Sequence, residues 1–148
     1  KANSAKTIKK NVKARKQALK SLGTLHKEAQ ASFNKYIRLR DKDLPCISCQ
    51  RHHTGQNHAG HFLSIGSSPE LRYAESNVHL QCSVCNNHLS GNLINYRTNL
   101  VKKIGIEHVE LLEGPQEPKR YRHEEILAIK AKYKLLTKEL TIKLEGAA

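Results

Sequence analysis

The sequence predicts an α+β fold that is mostly helical, with a small core stapled by a four-cysteine zinc and flanked by long N- and C-terminal helices. Three observations predict it. Four cysteines fall into two Cys-x2-Cys pairs with none left over. Apolar residues recur at helical spacing on both sides of the cysteine-rich segment. Aromatic content is only 5%, with no Trp and two Phe, so the core of this 148-residue chain is modest and needs a staple. Three regions follow: a basic helical arm over 1–41, a zinc-containing core over 42–112, and a C-terminal helix over 113–148 suited to dimerisation.

Residues 4–27 read as a helix. Ile8, Val12, Leu19 and Leu22 fall at i, i+4, i+11 and i+14, with Ala5, Ala14 and Ala18 between them and no Pro, and Gly23 interrupts or ends the run. Residues 1–40 hold twelve basic residues and one acid, Glu28, so most of the chain's formal charge of +13 lies in its first quarter. Such a stretch binds polyanions, because each phosphate neutralised releases a condensed counterion. Lys9, Lys10, Lys13, Arg15, Lys16 and Lys20 are the candidate DNA contacts, joined by Arg38 and Arg40 further on. The bland alternative is a solvated helix face. A membrane surface fits less well, since no Trp or Phe precedes Phe33. A second helix is expected over 28–41, with Phe33, Tyr36 and Ile37 on one face and Pro45 barring continuation.

The chemistry is concentrated between Pro45 and Ile104. A two-residue spacer lets a tight turn aim both sulfurs at one ion, so Cys46, Cys49, Cys82 and Cys85 form a candidate tetrahedral zinc site. The alternative, two disulfides, is at odds with an intracellular chain that shows no signal peptide and no run of 18 apolar residues. A site closed by four protein ligands is structural. Residues 56–63 and 77–82 are candidate strands, and a helix is expected over 86–103 with Leu93, Tyr96, Leu100 and Ile104 facing the core and Gly105 as its cap. A last helix spans 123–143, where Ile126, Ile129, Tyr133, Leu136 and Leu140 recur at spacings of 3, 4, 3 and 4. That seam requires cover from the N-terminal helix or from a second subunit. The chain opens on Lys1 and contains no Met, as a fragment of a longer protein would.

The order Cys-x2-Cys, His61, Asn77, Cys-x2-Cys-Asn86 resembles the zinc-containing HNH or His-Me finger (ββα-metal) nucleases. More narrowly, Ala29-Gln30-x-x-Phe33-Asn34-x-x-Ile37-Arg38-x-Arg40-Asp41, Pro45-Cys46-Ile47-Ser48-Cys49, Ala59-Gly60-His61-Phe62 and Cys85-Asn86-x-x-Leu89-Ser90-Gly91-Asn92 are similar to the lambdoid phage NinG (Rap) family, over about residues 29–112. The resemblance implies a recombination endonuclease that cuts branched DNA such as Holliday junctions and D-loops in the cytoplasm of a phage-infected bacterium. The Asn directly after the last Cys also resembles the phage resolvase endonuclease VII.

Phosphodiester hydrolysis needs an activated water and a cation at the scissile phosphate. His61 is the expected base, because a neutral imidazole with an unperturbed pKa near ~6.5 accepts a proton at cellular pH. By order in the HNH pattern, Asn77 orients the hairpin and Asn86 meets the catalytic Mg²⁺ or Mn²⁺; the bland reading of Asn86 is a helix N-cap. Most relatives carry Asp immediately before the base, whereas this chain has Gly60. Strand parity offers His58 as the replacement ligand, provided that no bulge intervenes. Arg72 and Arg97 are further candidate phosphate contacts. His52, His53, His79 and His88 are expected to face solvent or pack. Twofold cutting of a junction implies a homodimer built on the terminal helices. The competing readings are a non-catalytic zinc module that binds nucleic acid and a helical scaffold for a protein partner.

Overall fold

A computed structural model of the protein describes residues 2–147, so Lys1 of the basic arm lies outside the described residues. The first helix, α1 (Ala2–Ala18), ends before Gly23, and α2 (Leu22–Arg40) begins there instead of at residue 28. The cause is Ser21, whose hydroxyl accepts the Thr24 N–H at 3.2 Å and caps α2, so Gly23 lies inside its first turn. α2 buries Leu25, Ala29, Phe33 and Ile37, spaced four residues apart on one stripe.

That stripe packs against α5 (His123–Gly146), which presents Ile126 and Tyr133. The Phe33 and Tyr133 rings meet edge to face at 4.7 Å. The heptad-like seam of the C-terminal helix is therefore covered by α2 of the same chain, which is neither of the two covers expected, the N-terminal helix or a second subunit; α2 offers larger apolar side chains than α1. On α1, Ile8 remains 60% exposed and Val12 48%.

Two short strands, β1 (Asn57–His61) and β2 (Val78–Cys82), pair antiparallel with His58 opposite Gln81, Gly60 opposite His79 and His61 opposite Val78. A second core of Ile47, Phe62, Leu71, Tyr96, Leu100, Val109 and Leu112 ties the hairpin to α3 (Leu93–Ile104) and to α4 (Ile106–Glu113), a short helix that the sequence pattern does not separate. The turn between them is Gly105, at φ +87°.

The helix expected from residue 86 starts only at 93. A π-helical turn over Val84–His88 comes first, then Ser90, Gly91 and Asn92 all take positive φ. This fold-back returns the chain to the cysteines, where Asn92 Nδ2 donates to Cys85 Sγ at 3.4 Å. No described helix is long and apolar enough to cross a membrane.

Candidate metal centre and active site

One cysteine pair precedes β1 and the other runs from the end of β2 into the π-helical turn, and their four sulfurs all lie within 4.8 Å of one another with no disulfide between them. A tetrahedral zinc with Zn–S near ~2.3 Å places sulfurs about 3.8 Å apart, so this cluster can hold such a metal with small adjustment. Backbone N–H groups already address the sulfurs: Cys82 N donates to Cys46 Sγ and Cys85 N to Cys82 Sγ, each at 3.4 Å. Burial pushes the Cys46 thiol up and the Cys85 thiol to about 12, which is the penalty that a cation would remove. At half-exposed Cys49 burial also raises the pKa, but the His53 imidazole at 3.2 Å and the Arg51 N–H outweigh it and hold the thiol at about 6. His53, expected to face solvent or pack, thus meets a cysteine; the spacing Cys49-x3-His53 is the available signal for this contact.

His61 ends β1 with its imidazole half-buried and Nε2 3.0 Å from the Arg72 carbonyl oxygen. A carbonyl only accepts, so Nε2 donates and the neutral ring keeps its lone pair on Nδ1. Burial lowers the His61 pKa, and the Arg72 charge adds to this against the opposing carbonyl bond. The base form is therefore favoured.

Asn77 is fully buried. Its Oδ1 accepts the Leu63 N–H at 2.9 Å, its Nδ2 donates to Leu63 O at 3.0 Å and Leu71 O at 3.4 Å, and its own carbonyl accepts the Phe62 N–H at 2.8 Å. These bonds fasten the chain just after His61 to the segment that carries Arg72.

Asn86 lies in the π-helical turn and brings its Nδ2 3.3 Å from His58 Nδ1. It forms part of the walls of two cavities, each about 410 Å³. One is lined by His61, Ser64, Ser90 and Leu93 among others, the other by Asn34, Arg38 and His58. The strand register runs unbroken from Asn57 to His61, so His58 and His61 project from alternate faces of β1. The space beside Gly60 is occupied: a Cβ there would lie 2.0 Å from Gln81 Oε1 and 2.9 Å from Gln81 Cβ. Gln81 is locked in place by donating to Gly91 O at 2.6 Å and Ser48 Oγ at 2.8 Å.

Of the candidate phosphate contacts, Lys9, Lys10, Lys13, Arg15, Lys16 and Arg38 are exposed. Arg40 is the clearest departure. It turns inward to clasp Asp41 through two bonds of 2.7 Å and donates to Glu75 O at 3.2 Å and Val78 O at 2.9 Å, which takes it out of the DNA-facing set. Lys20 pairs with Glu28, Arg72 donates to Gln30 Oε1 at 2.9 Å, and Arg97 forks onto Glu113 at 2.6 and 2.8 Å. Asp41, to which no sequence signal assigns a role, is buried and accepts the Leu80 N–H at 3.1 Å. Burial pushes its carboxyl up, but Arg40, His79 and Lys103 together hold it well below the carboxylate range.

The chain matches the family described as Bacteriophage Lambda NinG protein over residues 1–143. It is 46% identical to protein ninG of Escherichia phage 933W over 132 residues, covering 89% of this chain and 66% of that protein. It is also 46% identical over 129 residues to the ninG proteins of Salmonella phage P22 and Escherichia phage lambda, covering 87% of this chain in each case and 64% and 63% of theirs. The chain thus spans just under two thirds of the length of these relatives. No solved structure matches it. Because the family match takes in the basic arm, the hairpin with its cysteine cluster and nearly all of the last helix, the chain belongs to the NinG family of lambdoid phages.

Proposed function

We propose that this NinG-family chain is a metal-assisted DNA endonuclease acting on branched recombination intermediates, with His61 as its general base. The observation that carries the reading is the hydrogen bond from His61 Nε2 to the Arg72 carbonyl, with the ring lining a cavity shared with Asn86. It leaves Nδ1 as the basic nitrogen of a half-buried imidazole. Preference for Holliday junctions and D-loops rests on the family resemblance.

In the reaction, Nδ1 of His61 takes a proton from water as the water oxygen forms a bond to phosphorus. The bond from phosphorus to the 3′ oxygen breaks, and that oxygen takes a proton from solvent. Asn77 keeps His61 in register by pinning the chain on its C-terminal side. Asn86 donates from its amide toward His58 Nδ1 at 3.3 Å, so with that amide turned to present Oδ1 these two neighbours are the groups that would hold the divalent ion. Mg²⁺ or Mn²⁺ bound there supplies charge neutralisation at the scissile phosphate and its leaving oxygen. Zinc on the four cysteines keeps the hairpin folded. The exposed lysines of α1 grip the DNA arms, and its exposed Ile8 and Val12 offer a contact for a homodimer that presents one site to each of two strands.

The test is cleavage of a synthetic four-way junction with Mg²⁺ or Mn²⁺ by wild type and His61→Ala. Loss of roughly 10²- to 10⁴-fold in rate with junction binding retained is expected, and light scattering of the complex should report a dimer. Full cleavage by His61→Ala would remove His61 from this role. Binding with a steep salt dependence but no cleavage by wild type would favour a zinc-stapled nucleic-acid-binding module.

A further inference from the structure

The second cavity beside Asn86 is lined almost wholly by polar side chains. Asn34 and Arg38 face it from adjacent turns of α2, Gln56, Asn57 and His58 from β1 and its approach, and no carboxylate lines it. Arg38 is exposed, and where Arg40, Arg72 and Arg97 are each engaged by acceptors within the fold, no such pairing among the described residues draws Arg38 away. His58 adds an unmet demand. The Asn86 amide addresses its Nδ1 at 3.3 Å, which assigns the ring hydrogen to Nε2, and that nitrogen is buried with no hydrogen-bond partner among the described residues. A guanidinium, several amides and an unsatisfied N–H without a nearby anion make a receptor for an oxyanion.

Ala59 and Asn86 line this cavity and the His61 cavity alike, so the two adjoin. We propose that the Arg38 cavity is a second phosphate seat, holding the phosphodiester that neighbours the one attacked at His61. Its relation to His61 rests on the nuclease reading above; its affinity for a backbone phosphate does not. Arg38 forks onto the phosphate oxygens. Seating one phosphate there fixes the register of the strand across Asn86, and so decides which bond lies against His61.

The test is a chemical double-mutant cycle on binding, run without divalent metal so that no cleavage intrudes. Methylphosphonates, which remove one backbone charge each, are placed singly along one strand of a junction, and binding by wild type and Arg38→Ala is compared. For wild type, one position should weaken binding about ten- to a hundredfold, and in Arg38→Ala that position alone should become nearly silent. Arg38 is exposed, so the variant should keep its zinc content and circular dichroism. If wild type and Arg38→Ala give the same methylphosphonate profile, the seat is refuted even where wild type cleaves normally. If the profiles differ as expected but wild type fails to cleave with Mg²⁺ or Mn²⁺, the seat stands and the nuclease reading falls.

Discussion

On α2 and α5 the buried side chains are Leu25, Ala29, Phe33, Ile37, Ile126, Tyr133 and Thr137, all apolar or aromatic but the last, and joined mostly by apolar and edge-to-face aromatic contact. Around the hairpin the buried positions include Ser48, Asn77, His79, Gln81 and three of the four cysteines. The first region is held by non-directional burial, which tolerates small displacements. The second adds to its own apolar core a set of directional bonds, each with one correct partner, which fixes the positions of the side chains around the hairpin. The difference also assigns their vulnerabilities: the helix pair can keep its core without an ion, whereas the hairpin gathers four ionisable sulfurs close enough to hold one.

The largest break in this comparison should come from metal removal. Structural zinc contributes on the order of 10 kcal/mol in small zinc domains, so stripping it, or Cys46→Ser, should unfold the hairpin while the helix pair survives. In hydrogen exchange, protection should be lost at Leu80 and Gln81 and kept at Phe33 and Tyr133. Equal loss in both regions would show one cooperative unit, and unchanged protection at Leu80 would show that the hydrogen bonds suffice without the ion.

The same division explains what is legible in the sequence. Helical periodicity and the Cys-x2-Cys pairs are local signals, and they locate the last helix, the cysteine cluster and the Phe33–Ile37 end of the α2 stripe, though not its start at Leu25 and Ala29. Gly105 is legible as a cap because a positive φ favours glycine. What escapes depends on partners distant in sequence. Nothing local to Arg40 shows that Asp41, Val78 and Glu75 will enclose it, and the seam of α5 does not carry the name of the helix that covers it. The Cys85–Asn92 fold-back reads as helix because Asn86 and Asn87 have the composition of an N-cap, while the chain here makes a π-helical turn and bends back onto the cysteine cluster. Order and parity point to His58, Asn77 and Asn86; the bonds that position them come from the fold.

A smaller effect separates packing from ligation at Gly60. Gln81 fills the space beside it, so Gly60→Ala overpacks the hairpin and should cost about 1–3 kcal/mol in thermal or urea denaturation. Gly60→Asp, which installs the carboxylate that the HNH pattern would have immediately before His61, should be worse still, since that side chain meets the same obstruction. Gln81→Ala removes that obstruction at the expense of the bonds to Ser48 and Gly91, so the double variant Gly60→Ala/Gln81→Ala should cost less than the two single changes added together. Strict additivity would mean that Gln81 swings clear and that Gly60 is not dictated by packing.

The mildest perturbation, acid, should still discriminate between the regions. Burial lowers the pKa of both His61 and His79 below 6.5, so in the folded state these rings resist protonation. Below 6.5 the unfolded chain binds more protons than the folded one, and stability therefore falls as pH drops until the folded values are passed. His79 has the additional constraint that Lys103 Nζ, 2.9 Å from its Nδ1, and Arg40 already address the ring with positive charge, while Ser76 O occupies Nε2 at 3.0 Å. A proton on Nδ1 must displace the Lys103 contact even though Asp41, 3.8 Å away, favours the charged ring. His26 also has a lowered pKa, but its ring is half-exposed at the edge of the helix pair, where water can solvate the cation. Between about pH 6.5 and 5.5 exchange at Leu80 should accelerate before exchange at Phe33, and His79→Gln should flatten the fall of Tm over the same interval. An unchanged slope in His79→Gln would transfer the effect to His61 or to protonation of the cysteine sulfurs, and with it the origin of the hairpin's acid sensitivity.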